Sequence, residues 1–204
     1  MSQTPPRRGR PTTVDPAQVA ATALRLFTEK GFENVTMDDV ALASGVGRRT
    51  LFRLFPSKAA LVWSGAAEAR ETITRVLDAS APGSRAEALD VVRAAFVAAS
   101  RFPAEAVEPT RQRLCLIAAH EELLAWGMSR TGLSGGPVED FLARADGSAG
   151  PSLRTRSLAA ACAAANVAAL VWWAQESHGR DPADVVDEAL AHLLAGAGTG
   201  RAQA

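Results

Sequence analysis

The sequence predicts an all-helical chain, and three observations carry that expectation. Alanine and leucine dominate the apolar positions and recur at spacings of three and four, the helical repeat. No run of alternating β-branched residues marks a strand. Helix-start signals recur along the chain, two of them with the same opening (Asp15-Pro16-Ala17 and Asp181-Pro182-Ala183). A length of 204 residues allows one domain, or a small one fused to a medium one. With 48% hydrophobic and 22% charged residues the composition is that of a globular chain, which excludes disorder throughout.

The elements follow in order. Asp15, Pro16 and Gln18 form a capping-box start for a helix over Asp15–Lys30, with an apolar stripe of Val19, Ala20, Ala23, Leu24 and Phe27. Gly31 ends it, with Lys30 in the last turn where a cation favours the helix dipole. Thr36, with Asp39 three residues on, opens a second helix that buries Val40 and Ala41 and stops at Ala43-Ser44-Gly45. A third, Arg48–Leu54, is closed by Pro56 because the residue before a proline avoids helical geometry. Ser57 caps a fourth, expected from Lys58 towards Asp78, and Pro82-Gly83 breaks it before a fifth over Arg85–Phe102. Pro103 and Pro109 bracket a break before a sixth that holds Leu114–Leu124. The stretch Met128–Pro137, with its three glycines, is poor helix material. Val138–Arg144, Ser152–Ser177 and a segment from Pro182 through Leu194 complete about nine helices, and Gly196–Ala204 reads as a disordered tail.

Cys115 and Cys162 stand alone in apolar runs, which predicts two buried reduced thiols. Met1–Thr12 is polar and basic with no apolar stretch behind it, so no signal peptide is read and the chain is expected in the cytoplasm. The longest apolar run, Leu158–Ala174, is mostly alanine, contains Asn166 and falls short of a strongly apolar span, so no membrane partner is expected. His120, His178 and His192 show no metal-ligand spacing, no phosphate loop follows a strand, and no nucleophile–base pair stands out. No cofactor, no metal and no enzymatic activity are expected.

Charge is distributed unevenly. The whole chain has no net charge, yet residues 1–60 hold nine Lys/Arg against five Asp/Glu and the remainder is correspondingly acidic, so the first segment is fitted to meet a polyanion. Within it, Met37–Ser44 and Arg48–Leu54 flank Gly45-Val46-Gly47: a helix, a tight glycine turn and a helix, with Val40 and Val46 placed to fix the crossing. The second of these displays Arg48, Arg49, Thr50 and Arg53 on one side and Leu51, Leu54 and Phe55 on the other. Three guanidiniums and a hydroxyl on two helical turns suit a DNA major groove. Lys58 and the amides after Ser57 offer a phosphate site. A solvated basic face on an ordinary helical hairpin is the plainer alternative, and the Gly-x-Gly-Arg-Arg-Thr start and the Thr36 cap favour DNA.

The order Phe27-x-x-x-Gly31-Phe32-x-x-x-Thr36, Val40-Ala41-x-x-Ser44-Gly45-Val46, Thr50-Leu51-Phe52-x-x-Phe55-Pro56-Ser57-Lys58-x-x-Leu61 strongly resembles the TetR family of bacterial transcriptional repressors, over roughly residues 14–62. The resemblance implies an N-terminal three-helix helix-turn-helix DNA-binding domain (14–60) and a C-terminal helical ligand-binding and dimerisation domain (61–195). It also implies a homodimer on a palindromic double-stranded DNA operator, with Thr36, Arg48, Arg49, Thr50, Phe52, Arg53 and Lys58 at positions that usually face DNA. Two residues depart from the family pattern: Phe52 replaces a tyrosine whose hydroxyl touches phosphate, and Gly47 replaces a serine cap. The basic arm 1–13 brings Arg8 and Arg10, which are expected either to enter an A·T-rich minor groove or to add unspecific attraction.

In the C-terminal part the pattern Arg-x-Arg-Leu-x-Leu-Ile at Arg111–Ile117, the alanine-rich helix with paired tryptophans and the Gly47–Lys58 segment are similar to the branch of the family that binds acyl-CoA-like ligands. The glycine-rich Met128–Pro137 departs from that branch. Phe96, Phe102, Leu114, Ile117, Trp126, Phe141 and Trp172 are the candidates to line a cavity for a small hydrophobic effector, with plain core packing as the alternative. His120 with Glu121 and Glu122 either orients a polar ligand group or simply faces water, and water is the favoured reading. Ala159, Ala160, Ala163 and Ala164, with Leu170, Val171, Trp173, Val186, Leu190 and Leu193, are expected to form the dimer face. A ligand-responsive regulator, most naturally a repressor, is the reading of the whole chain; a helical enzyme or carrier with an incidental basic patch is its alternative.

Overall fold

Capping chemistry sets where the helices begin. The computed structural model describes residues 14–131, 136–177 and 179–195, and among them holds eleven helices and no strand. The arm with Arg8 and Arg10, His178, and the tail from 196 onward lie outside the described residues, as does 132–135 of the glycine-rich stretch. The chain divides after Leu61 into two units.

In the first unit α1 (Pro16–Lys30), α2 (Met37–Ala43) and α3 (Arg48–Leu54) pack in sequence, and α4 (Lys58–Val62) starts there. Asp15 Oδ1 accepts the Ala17 N–H at 2.9 Å, but Gln18 does not return the bond, so α1 starts on a simple cap rather than a box. Gly31, at φ 85°, closes α1 by donating its N–H to the Phe27 carbonyl at 3.0 Å, a backbone state that a side chain would strain. The chain then turns so that Phe32 meets Phe27 edge to face at 5.1 Å, and both rings are buried. Val40 and Leu51 are fully buried where α2 meets α3.

The second unit holds α5 (Ala66–Asp78), α6 (Arg85–Ala99), α7 (Ala104–Ala119), α8 (Glu121–Thr131), α9 (Pro137–Ala145), α10 (Leu153–Glu176) and α11 (Pro182–Ala195). Four boundaries differ from the expected ones. The single helix from Lys58 towards Asp78 is broken at Trp63–Gly65, where the Trp63 indole N–H leaves the helix line to donate to the Leu123 carbonyl at 2.8 Å. Pro109 lies inside α7 instead of bracketing a break. It removes the donor to the Glu105 carbonyl, but Glu105 is exposed in the first turn and water can take the donor's place. The expected sixth helix is two, because His120 adopts extended geometry (φ −130°, ψ 107°) and its carbonyl starts α8 by accepting from Leu123 at 3.0 Å. Finally, α8 continues through Met128–Thr131 despite the glycines that follow.

The long α10 is capped by a reciprocal box between Ser152 and Thr155. It spans 24 residues, more than the apolar run alone, and is long and apolar enough to cross a membrane by length and composition; here it packs against α7, α9 and α11. Its C-terminal end is held by Arg111, which donates to the Trp173 and Ala174 carbonyls at 2.9 and 3.0 Å while stacking 4.2 Å above the Trp173 ring. Trp173, Val186 and Leu190 are fully buried in the core of this unit, so they do not form the expected dimer face. Both cysteines are free thiols; Cys162 is buried, which pushes its pKa up to about 11, whereas Cys115 is only half-buried.

Arg93 on α6 forks onto Asp187 on α11 at 2.6 and 2.5 Å. The Arg93 hydrogen bond holds the Asp187 carboxyl below the ordinary range against a smaller opposing effect of burial. A lowered folded value means the pair stabilises above the unfolded carboxyl pKa, about 3.9, and ceases to as pH falls through the folded one. The pair is 35% and 40% exposed, so its contribution is screened. Asp187→Asn is therefore expected to lose about 0.5 kcal/mol at neutral pH in urea melts, a difference that vanishes in acid.

Candidate nucleic-acid interface and effector cavity

The turn between α2 and α3 is built by backbone bonds. Ser44 N–H donates to the Val40 carbonyl at 2.9 Å, Gly45 enters the left-handed region at φ 65°, and Val46 N–H returns to the Ala41 carbonyl at 3.1 Å. Leu51 and Phe55 then face inward, while Arg48, Arg49, Phe52 and Arg53 share the outer face of α3; Thr50, Leu54 and Val46 are half-buried. Gly47 occupies the N-cap of α3 with no side-chain cap, at φ −66° and in open space. Gly47→Ser is expected to raise stability by a few tenths of a kcal/mol, about 0.3, in a thermal or urea melt, because the hydroxyl can accept an orphan N–H.

The exposed arginines are not equivalent. Arg48 Nη1 pairs with Asp38 Oδ2 at 3.0 Å, and its guanidinium lies 5.5 Å from the Phe52 ring centre, so it is already engaged. Arg49 and Arg53 make no ion pair and no side-chain hydrogen bond among the described residues. They stand one helical turn apart, where like charges repel unless an anion lies between them. Phe52 is 39% exposed, which leaves an apolar ring between the arginines without the hydroxyl of the family's tyrosine.

Two residues of the expected set serve the fold. The Thr36 hydroxyl accepts the Asp39 N–H at 3.1 Å and donates to Asp39 Oδ2 at 2.6 Å, while Thr36 N–H donates to the same carboxylate at 2.8 Å. These bonds, the hydroxyl's first, lower the Asp39 pKa. Lys58 Nζ donates to the Phe32 carbonyl at 2.8 Å and sits 4.3 Å from the Phe32 ring centre. It therefore points back to the end of α1, not out as the expected phosphate contact.

The second unit contains a cavity of about 510 Å³, within the ordinary size of ligand pockets. Phe96, Phe102, Leu114, Ile117 and Trp126 lie on its wall. Phe141 does not: it is buried in the core beneath α9. Nor does Trp172, which is 46% exposed with the Arg180 guanidinium 6.0 Å over its ring. Ala159, Ala160, Ala163 and Leu170, expected at a dimer face, line the cavity instead. The sequence reading missed the polar part of the wall: Ser100, Asn166, Arg113, and Glu139, which accepts from Arg156 Nε at 3.0 Å. It missed Trp63 as well. A signal existed for Arg113, which shares the inward stripe of α7 with Thr110, Leu114 and Ile117 where an apolar residue is the rule. His120 is half-buried at the end of α7, not simply in water.

Residues 20–63 match the model for bacterial regulatory proteins of the tetR family, and residues 86–198, more than half of the chain, match the MftR C-terminal domain. The chain belongs to the TetR family. This TetR-family protein is similar to a putative mycofactocin biosynthesis transcriptional regulator, MftR, of Mycobacterium tuberculosis, at 33% identity over 141 residues, 69% of this chain and 70% of that one. It also resembles the HTH-type transcriptional regulator EthR of Mycolicibacterium smegmatis, 41% identical over 59 residues, 28% and 27% of the two chains. Among solved structures, Thermus thermophilus FadR, a TetR-family repressor crystallised with lauroyl-CoA, superposes with a TM-score of 0.55 at 21% identity, covering 93% of this chain and 97% of that one. At that identity the likeness shows the shared all-helical fold. The TetR-family protein is thus a transcriptional regulator with a helix-turn-helix DNA-binding domain and an MftR-type C-terminal domain.

Proposed function

We propose that this TetR-family regulator is a cytoplasmic homodimeric repressor that grips a palindromic operator through α3 and releases it when a small hydrophobic effector fills the cavity. The observation that carries DNA binding is the pair Arg49 and Arg53, exposed and unneutralised on the outer face of α3. Arg48, Thr50 and Phe52 complete the face, with Arg8 and Arg10 of the arm added along the minor groove. Two-fold symmetry would set two copies of α3 about 34 Å apart, one turn of DNA. Membership of a family of transcriptional regulators supports a non-catalytic role.

The effector class is drawn from the second unit. An apolar wall interrupted by a few polar groups is the ordinary makeup of a ligand site. An effector with an acyl chain is supported by the Arg111–Ile117 pattern on the cavity side of α7 and by the lauroyl-CoA bound to the Thermus FadR protein. The cavity wall includes Val62, the last residue of α4, and Trp63, which follows it directly in the chain. An effector that fits better when the Trp63–Gly65 break is displaced would shift the population of the DNA-competent form, and only by its differential affinity for the two forms.

The test is a gel shift with DNA upstream of the protein's own gene, with and without an acyl-chain ligand, laurate or lauroyl-CoA. Retardation relieved by at least one of the two is expected. Failure to distinguish that fragment from random DNA would remove the operator reading. An operator affinity unchanged by any ligand that fills the cavity would remove the switch alone.

A further inference from the structure

The Arg-x-Arg-Leu-x-Leu-Ile segment of α7 divides its two cations between different tasks. Arg111 is consumed by the end of α10 and the Trp173 ring. Arg113 turns to the cavity wall and makes no hydrogen bond and no ion pair among the described residues; its Nε is buried without a partner. Burial presses its pKa down, with Glu68 opposing that at a distance. The other arginines on the wall are accommodated differently: Arg156 pairs with Glu139, Arg130 stacks 4.7 Å over Trp126, and Arg70 is exposed. A desolvated, unpaired guanidinium among Leu114, Ile117 and Phe96 is unfavourable in the empty protein and becomes favourable once an anion joins it.

We infer that the cavity's ligand is an apolar molecule ending in a carboxylate, and that Arg113 receives the carboxylate inside the wall. This rests on the reading of the cavity as an effector site. A carboxylate matches the planar fork with two parallel N–H···O bonds. It also carries one charge against one, whereas a phosphate ester brought to the same point would bury excess negative charge among apolar side chains. The guanidinium lies against the start of α5: a Cβ placed on Gly65 would be 3.2 Å from Arg113 Nη1. The carboxylate would therefore arrive beside the Trp63–Gly65 break, at the part of the wall that the chain enters from α4.

The experiment titrates the full-length protein with laurate, dodecanol and lauroyl-CoA, following fluorescence of the wall residues Trp63 and Trp126. Laurate is expected to bind roughly tenfold or more tighter than dodecanol, the range of one charge-assisted hydrogen bond. Arg113→Gln should abolish that preference and leave dodecanol unchanged. Arg113→Met should do the same without lowering the melting temperature, since no native partner is lost. Equal affinities for laurate and dodecanol, or a preference that survives Arg113→Gln, would overturn the inference. A lower melting point for Arg113→Met with the preference intact would mark the arginine as structural. Binding of lauroyl-CoA without laurate would place the ligand's charge outside the wall, removing the Arg113 assignment and keeping the effector reading. Binding of none of the three would remove the effector reading itself.

Discussion

Gly127→Ala is expected to lower the unfolding free energy by about 1–3 kcal/mol, the range of overpacked cores. A Cβ at this point of α8 would fall 2.0, 2.3 and 2.5 Å from three atoms of the Trp63 indole. All three are carbons of the rigid indole ring, not the free end of a flexible chain. The ring has little freedom to withdraw, because its N–H is bonded to the Leu123 carbonyl at 2.8 Å, one helical turn before Gly127. Alanine is the better helix former by about 1 kcal/mol, so intrinsic propensity pulls the other way and the steric term must exceed it. The discriminating measurement is a double-mutant cycle in urea. With Trp63→Leu already in place, Gly127→Ala should become neutral or stabilising, leaving a large coupling between the two sites. If Gly127→Ala alone melts like the parent protein, the indole is not held against α8 and the break at Trp63–Gly65 has another cause.

That pair also shows what a single sequence conveys. Helix starts are local, and they were legible: Thr36 with Asp39, Ser152 before α10 and Asp181 before α11 lie within three residues of the groups they bond. The breaks at Trp63–Gly65 and His120 are not local. The first depends on a hydrogen bond across 60 positions in sequence, which no window of neighbouring residues contains. Pro109 misled in the opposite sense. A proline signals a helix end only where the lost backbone bond matters, and in the second turn beside an exposed Glu105 it matters little.

The candidate site divides along the same line. Spacing set Arg48, Arg49 and Arg53 on the outer face of α3, where they are exposed, but it set Thr50 there too, which is half-buried, and Phe52, which is exposed, was marked only by the family resemblance. Which arginine is already occupied was not legible: Arg48 meets an aspartate ten positions away, and Lys58 is drawn to a carbonyl 26 positions away. In the second unit hydrophobicity marked five cavity residues but could not separate them from Phe141, which is core, or from Trp172, which faces solvent. An apolar stripe states that a face is covered, not by what. The same ambiguity put Trp173, Val186 and Leu190 at a subunit boundary when the protomer's own core covers them.

Arg49→Ala and Arg53→Ala are each expected to weaken operator binding by about 1–3 kcal/mol if the guanidinium reads a base edge. The structure singles these two out, because neither has to surrender a partner before meeting DNA. Arg48→Ala should weaken binding less, since Arg48 gives up its Asp38 pair and its position over Phe52 on binding DNA. The α3 positions are exposed, so none of the three substitutions should change the melting temperature appreciably, and a loss of affinity reports the interface rather than the fold. Competition with random DNA then assigns the role of each arginine. A base contact loses specific affinity and spares random DNA; a phosphate contact loses both about equally and makes the dependence on salt shallower by about one counterion. Equal affinity of the Arg49→Ala, Arg53→Ala double variant and the parent for the operator would mean that α3 does not lie in the groove, since no other described residue replaces two unpaired guanidiniums on that face.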